Sequence, residues 1–252
     1  MIKSGFKTDR GRQRDHNEDA CLTMDEAHVY MVADGVGGNT AGELASSTAV
    51  SYVADFVRNN PLDEVVNVEE LGKILHICLQ GVNETIIKLT RDHPEFTGMA
   101  TTLVLCYIRG KTAYFVNVGD SRAYIQRGST LFQITEDHSY VNTLVKLGVI
   151  TRDEARGHRK GNVITKAMGA GDQVEADFYQ TGIEDGDILL LCTDGLYGEL
   201  KEKYVSDMIR DNSDMQVLAD LLVDKANEAG GKDNITAVCI DIESVTEGGN
   251  NE

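Results

Sequence analysis

Two periods of apolar residues run through this chain. Runs rich in β-branched and aromatic residues at 2–8, 20–24, 28–33, 101–109, 112–118, 122–126, 174–180, 187–192 and 234–242 predict strands. Arg109-Gly110-Lys111 supplies a tight hairpin connection between two of them. Two long helical patterns separate the early strands from the middle ones. The first opens on Thr40 and Glu43 at capping-box spacing and runs through Leu44, Ser47, Thr48, Ser51, Tyr52 and Phe56. The second spans 68–92 and sets Leu71, Ile74, Leu75, Cys78, Leu79, Val82, Ile86 and Leu89 on one face. Two later helices are predicted over 202–210 and 215–229. Hairpin-length connections between strands and helices that come in pairs do not fit strict alternation of strand and helix. They predict an α+β layered domain of mainly antiparallel sheets.

Residues 139–170 break this pattern with a short helix over 140–147, a second capping box at Thr151 and Glu154, and a Gly- and basic-rich stretch at 156–161. They are read as a small flap inserted in the main body. With no long linker, no internal repeat and only two prolines (Pro61 and Pro94), one domain is expected over 1–245. The polar, Gly/Asn-rich end at 246–252 is expected to be disordered.

Composition narrows the setting. No apolar run approaches the roughly 20 residues of a membrane-spanning helix, and no apolar segment of a secretory signal follows Lys3, Lys7 and Arg10. No membrane partner is expected. The five cysteines (Cys21, Cys78, Cys106, Cys192 and Cys239) are far apart and mostly set in apolar runs. That suits buried thiols in a reducing compartment, so a cytoplasmic protein is expected, and a monomer. The net charge of −17 argues against a nucleic-acid partner. Most of the acidic excess reads as solubility. Asp34 and Asp194 differ, because each follows a hydrophobic run and precedes a glycine. Like charges gathered in a half-buried cleft resist ionisation unless a cation compensates them.

Five segments share this grammar of an acidic residue abutting an apolar strand. They are Arg14 with Asn17-Glu18-Asp19, Asp34-Gly35, Gly119-Asp120-Ser121-Arg122, Thr193-Asp194-Gly195 and Lys232-Asp233-Asn234. Any one alone reads first as a turn: Asp-Gly is a turn dipeptide, and Asp120-Ser121-Arg122 fits a tight hairpin with a solvated arginine. Together they point to a hard-cation site, since Mg²⁺ and Mn²⁺ take oxygen ligands and Mg²⁺ keeps several waters. Two such ions about 3.5–4 Å apart acidify a water and stabilise in-line displacement at phosphorus. An arginine then clamps the phosphate oxygens, and Arg14 is the candidate.

These residues, with Asp34-Gly35-x-Gly37-Gly38, Gly98-x-Ala100-Thr101-Thr102, Thr135-x-Asp137-His138 and Asn162-x-Ile164-Thr165-Lys166-Ala167-x-Gly169, resemble the type 2C metal-dependent protein phosphatases, in particular their compact bacterial branch. The matches follow family order from Arg14 to Asn234. The resemblance implies a four-layer α-β-β-α sandwich of two antiparallel sheets flanked by helix pairs, with Mn²⁺ or Mg²⁺ at one end. It implies that Asp34 bridges two metals, the Gly35 carbonyl ligates one, and Asp194 and Asp233 hold the other. Glu18 and Asp19 would act through metal-bound waters, and Asp120 with Asp194 would form a weaker third site. Arg14 would receive the phosphate, and the flap, with His158, would lie next to substrate. The implied reaction is hydrolysis of phosphoserine and phosphothreonine by direct attack of a metal-bridging hydroxide, without a phosphoenzyme. The implied partners are phosphorylated proteins, a cognate serine/threonine kinase and its substrates among them.

Two positions depart from the family pattern. Val36 stands where some members carry a histidine general acid, and His158-Arg159-Lys160-Gly161 replaces a more usual histidine-proline. The remaining histidines (His16, His28, His76, His93 and His138) show no ligand spacing among themselves. Ser121 has no paired base, and no cysteine sits in a phosphate-cradling loop, which removes the covalent routes. Two readings stay open on the sequence: a phosphatase-shaped binding module, and a hydrolase of small phosphorylated molecules.

Overall fold

A computed structural model of the chain describes residues 2–37 and 41–243. Thr40, Gly38 and the end at 246–252 lie outside the described residues. One sheet has the order β1 (Lys3–Asp9), β11 (Ile235–Asp241), β10 (Ile188–Cys192), β7 (Arg122–Arg127), β8 (Thr130–Gln133). The other runs β2 (Asp19–Met24), β3 (Val29–Val36), β5 (Leu103–Arg109), β6 (Thr112–Val118), β9 (Asp177–Gly182), with β4 (Ala100–Thr101) beside the end of β3. Every pairing is antiparallel.

The central strands read as unbroken apolar runs because both of their faces are buried. Side chains alternate across a strand. Tyr30, Val32, Val104, Cys106 and Phe115 therefore meet Ile125, Leu189, Leu191, Val238 and Ile240 between the sheets. Val29, Met31, Leu103, Leu105 and Tyr107 point the other way, against α1 (Ala41–Asn59) and α2 (Val68–Asp92). Leu190, Cys192, Ala237 and Cys239 of the first sheet pack against α6 (Glu202–Asp211) and α7 (Met215–Ala229). The result is the expected α-β-β-α stack. Truncating one of these fully buried side chains to alanine costs about 2–5 kcal/mol.

One strand expectation is corrected, and two points that the sequence left open are decided. The side of α1 that reaches the sheet is the small-residue row Ala45, Ala49, Val53, with Leu44, Tyr52 and Phe56 only flanking it. Small residues win there because they let the helix backbone approach the sheet closely. The strand expected at 174–180 lies at Asp177–Gly182, since its register is fixed by pairing with β6 while Val174 turns into the α1/α2 core. Gly119-Asp120-Ser121 is not a hairpin. It carries the chain from β6 in one sheet to β7 in the other, and Arg122 is largely buried rather than solvated.

That crossover explains the acidic segments. The 10–18 segment also crosses between sheets, from β1 to β2, and Asp34, Asp194 and Asp233 stand at the same ends of their strands. All five segments therefore gather at one end of the sandwich, where the sheets splay and backbone polar groups need partners.

Candidate metal centre

Asp19 and Asp34 sit side by side in the β2–β3 register. Asp34 is locked through its backbone: its N–H donates to Thr102 Oγ1 at 2.9 Å, and its carbonyl accepts from Thr102 N at 2.9 Å and Thr101 Oγ1 at 3.0 Å. Thr102 Oγ1 in turn shares a 2.7 Å hydrogen bond with Ser121 Oγ in the crossover loop. Gly35 N donates to the Glu18 carbonyl at 3.1 Å. A side chain at Gly35 would strike the Gly42 and Glu18 carbonyls, so only glycine permits this approach of α1 to the strand end.

Asp19 is buried, and both of its hydrogen-bond donors fall on one oxygen. Thr193 Oγ1 and Thr236 Oγ1 donate to Asp19 Oδ2 at 2.8 and 2.7 Å. Thr236 Oγ1 lies 2.8 Å from Thr8 Oγ1, which accepts from Asn17 Nδ2 at 2.8 Å. Because the amide can only donate, the Thr8 proton points to Thr236 and the Thr236 proton points to Asp19. The chain of donors ends on Oδ2 and leaves Oδ1 buried without a partner.

Glu18 Oε1 and Asp194 Oδ1 are likewise buried and accept no hydrogen bond among the described residues. Asn234 fixes the approach of Glu18: its Oδ1 accepts from Glu18 N at 2.8 Å while its Nδ2 donates to the Arg10 and His16 carbonyls. Arg14 Nη2 pairs with Asp233 Oδ2 at 2.7 Å at the half-exposed rim.

Electrostatics report the same crowding. Burial, then repulsion from Asp194 and Asp233, pushes Asp19 up to about 7. Burial and Asp194 lift Asp120 to about 8, and burial and Asp233 lift Asp194 to about 6. Asp34 is held well above its ordinary value by burial and by four neighbouring aspartates. Burial raises Glu18 too, against the pull of Arg14. Carboxylates this close cannot all ionise without added positive charge.

Asp120 stands on a loop braced by Arg122, Asp137 and His138 of the quoted motifs, and by Tyr124 and Tyr197, which nothing in the sequence singled out. Arg122 makes a bidentate pair with Asp137 (2.9 and 2.7 Å), donates to Tyr124 Oη, and lies 3.5 Å over the Tyr197 ring. Tyr197 Oη donates to the Asp120 carbonyl at 2.9 Å. Gly119, at φ +107°, exchanges two hydrogen bonds with His138, through His138 Nδ1 and His138 N. His158 is not brought to this cluster. Its Nδ1 accepts from Lys160 N at 3.1 Å, and its ring lies 6.3 Å from that of Tyr140 within the flap.

The family profile described as Protein phosphatase 2C matches residues 8–235, nearly the whole chain and all five acidic segments. The chain belongs to the protein phosphatase 2C family. It is 36% identical to the serine/threonine phosphatase stp of Listeria welshimeri over 94% of both chains. It superposes with a TM-score of 0.87 on the serine/threonine phosphatase PstP of Mycobacterium tuberculosis, at 30% identity over 96% of this chain and 99% of that one. A structure of the PstP catalytic domain in complex with two manganese ions matches at a TM-score of 0.85, 30% identity and the same coverage. The chain is a serine/threonine phosphatase of this family, built on the same α+β sandwich.

The donor set of this phosphatase fits a hard divalent cation. Three buried carboxylate oxygens, on Glu18, Asp19 and Asp194, lack partners, and carboxylate oxygen is the donor that hard cations take. Among the described residues, no three histidine, cysteine, aspartate or glutamate side chains already close around one point as a fully protein-made cage would. A cation that keeps several of its waters does not ask for such a cage.

Thr102 and Thr193 fall within quoted motifs but without a role of their own, and Thr236 left no signal in the sequence. Threonine in a strand reads as β-propensity, and its hydrogen bonds depend on partners up to 217 positions away.

Proposed function

We propose that the phosphatase hydrolyses phosphoserine and phosphothreonine on proteins by direct displacement at phosphorus, with Asp34, the Gly35 carbonyl, Asp194, Asp233, Glu18 and Asp19 holding two divalent cations. The reading rests on the unpartnered, mutually raised carboxylates at one end of the sandwich. When bound, a pair of Mn²⁺ or Mg²⁺ ions supplies an acidified water for the attack and positive charge for the phosphoryl oxygens. Thr193 and Thr236 aim the free oxygen of Asp19 into the cleft. Arg14, paired with Asp233 at the half-exposed rim, would offer its guanidinium to the substrate phosphate. Asp120, with Asp194, offers the weaker third site. Val36 holds no proton to give the leaving alcohol, so a water held by the cations would be the donor in its place.

The substrates are phosphorylated proteins, in keeping with the names protein phosphatase PhpP and serine/threonine protein phosphatase PstP of two relatives. A cognate serine/threonine kinase is the further partner of this reading. The five free cysteines favour the cytoplasm, and no helix among the described residues is long and apolar enough to cross a membrane. The test of direct displacement is a rapid-quench reaction with ³²P-phosphothreonine peptide. One exponential of free phosphate with no labelled protein is expected; label trapped on the chain would refute it.

A further inference from the structure

In a chain of net charge −17, the flap is an island of the opposite sign, with six Lys and Arg against two Asp and Glu over 139–170. Two of those lysines, near its stems, are neutralised by the body. Lys146 pairs with Glu136 at 2.7 Å, and Lys166 lies between Glu175 and Asp177 at 3.7 and 3.6 Å. The other four differ. Arg152, Arg156, Arg159 and Lys160 are exposed, and none has a carboxylate partner among the described residues; Lys160 lies over the Tyr140 ring at 4.8 Å. Of the flap's own acids, Glu154 is engaged in the capping box with Thr151.

Arg152 starts the short helix Arg152–Ala155, and Arg156 follows one turn later on the same side. Turns closed by His158 N to Ala155 O and Gly161 N to His158 O then bring Arg159 and Lys160 round. Both stems of the flap are rooted at the carboxylate cluster. His138 is bonded to Gly119 beside Asp120, and Met168 pairs with Thr101, whose hydroxyl reaches the Asp34 carbonyl. A peptide with its phosphate in the cleft that leaves past either stem runs alongside the flap.

We infer that the flap selects phosphorylated segments flanked by acidic residues, with Arg152, Arg156, Arg159 and Lys160 as the specificity-determining side chains. This rests on the proposed function above. A long polyanion is a poor fit, since the body's negative charge repels a nucleic acid or an anionic bilayer. A short acidic peptide feels mainly the local field, because screening cuts more distant charge off within about 8 Å at physiological salt.

The test uses three labelled phosphothreonine peptides that differ only in flanks of Glu, Ala or Lys. Binding is read by fluorescence anisotropy with the metal-free full chain, which cannot turn over, and phosphate release is read separately in Mn²⁺. The Glu-flanked peptide is expected to bind about ten-fold more tightly than the Lys-flanked one, falling to about two-fold in 0.5 M salt. In the quadruple charge reversal R152E/R156E/R159E/K160E the order inverts, with melting temperature as the check on folding. Equal binding of the three peptides, or an unchanged order in the folded reversal, overturns the inference. So does a reversal that alters only self-association in light scattering, because the basic face would then mate with the acidic body of a second copy. Acidic preference without turnover would sink the proposed function and leave the selectivity standing; turnover without preference does the opposite.

Discussion

Replacing Thr236 with valine removes one hydroxyl and keeps the shape. In the native protein Asp19 Oδ2 takes two hydroxyl donors at 2.7 and 2.8 Å, which fixes the carboxylate and turns Oδ1 away from them. A hydrogen bond to a charged group contributes about 1.5–3 kcal/mol, and the donor lost here is the shorter of the two. Valine leaves no cavity, and the freed hydroxyl belongs to Thr8, an exposed residue within reach of water. Stability should therefore fall by that hydrogen bond alone, about 1.5–3 kcal/mol at most, while the orientation of Asp19 is loosened. Loss of a side chain that orients a metal ligand weakens metal binding about 10–100-fold. The matching Thr193→Val change should behave differently. Thr193 Oγ1 also accepts from Thr236 N at 3.0 Å, so its loss strands a buried N–H and costs about 1–3 kcal/mol of stability as well. The assay is calorimetric Mn²⁺ titration of the metal-stripped proteins, paired with thermal melts. Thr236→Val with native melting and native Mn²⁺ affinity would refute the assignment of the threonines as positioning residues. Equal melting losses in both variants would refute the distinction between them.

The raised carboxyls fix how stability changes with pH. Asp194, Asp19 and Asp120 titrate near 6, 7 and 8 in the fold but near 3.8 when unfolded, so the native state binds more protons across that window. Metal-free protein should lose melting temperature as pH rises from about 5 to about 8, and saturating Mn²⁺ should suppress the loss; a metal-free curve flat over this range would contradict it. Asp120→Asn removes one of the repelling charges and should raise the metal-free melting temperature at pH 8, by roughly 2–4 °C per kcal/mol relieved, where a drop would count against crowding. Arg14→Ala should raise KM for phosphopeptide about ten-fold or more, in line with the loss of a charged hydrogen bond, and leave Mn²⁺ affinity within about two-fold. A fall in kcat alone would move Arg14 from phosphate binding to another role.

Much of the layer order was legible because nearly every central strand announces itself by composition, and α2 by its stripe. The short edge strands β4 and β8 were not, since two to four residues carry no period of their own. The α1 face stayed open because alanine is a weak apolar marker, yet Ala45 and Ala49 are fully buried. For the site, the acidic segments could be read singly, while their convergence depends on which sheet each strand enters. Nothing local in Asp120-Ser121-Arg122 says that the chain changes sheets there, nor that Arg122 will stack on the distant Tyr197. His158 carried a family expectation, but its contacts stay within the flap.

The central claim is that the crowded carboxylates exist to hold catalytic cations. The most direct measurement is phosphate release from a phosphothreonine peptide by wild type and Asp34→Asn, each with Mn²⁺, with Mg²⁺ and after EDTA. The account predicts turnover in the wild type only with metal, and loss by about 10³-fold or more in the variant, on the scale of removing one preorganised stabilising group. Equal turnover after EDTA, or a folded Asp34→Asn as active as wild type, would contradict it.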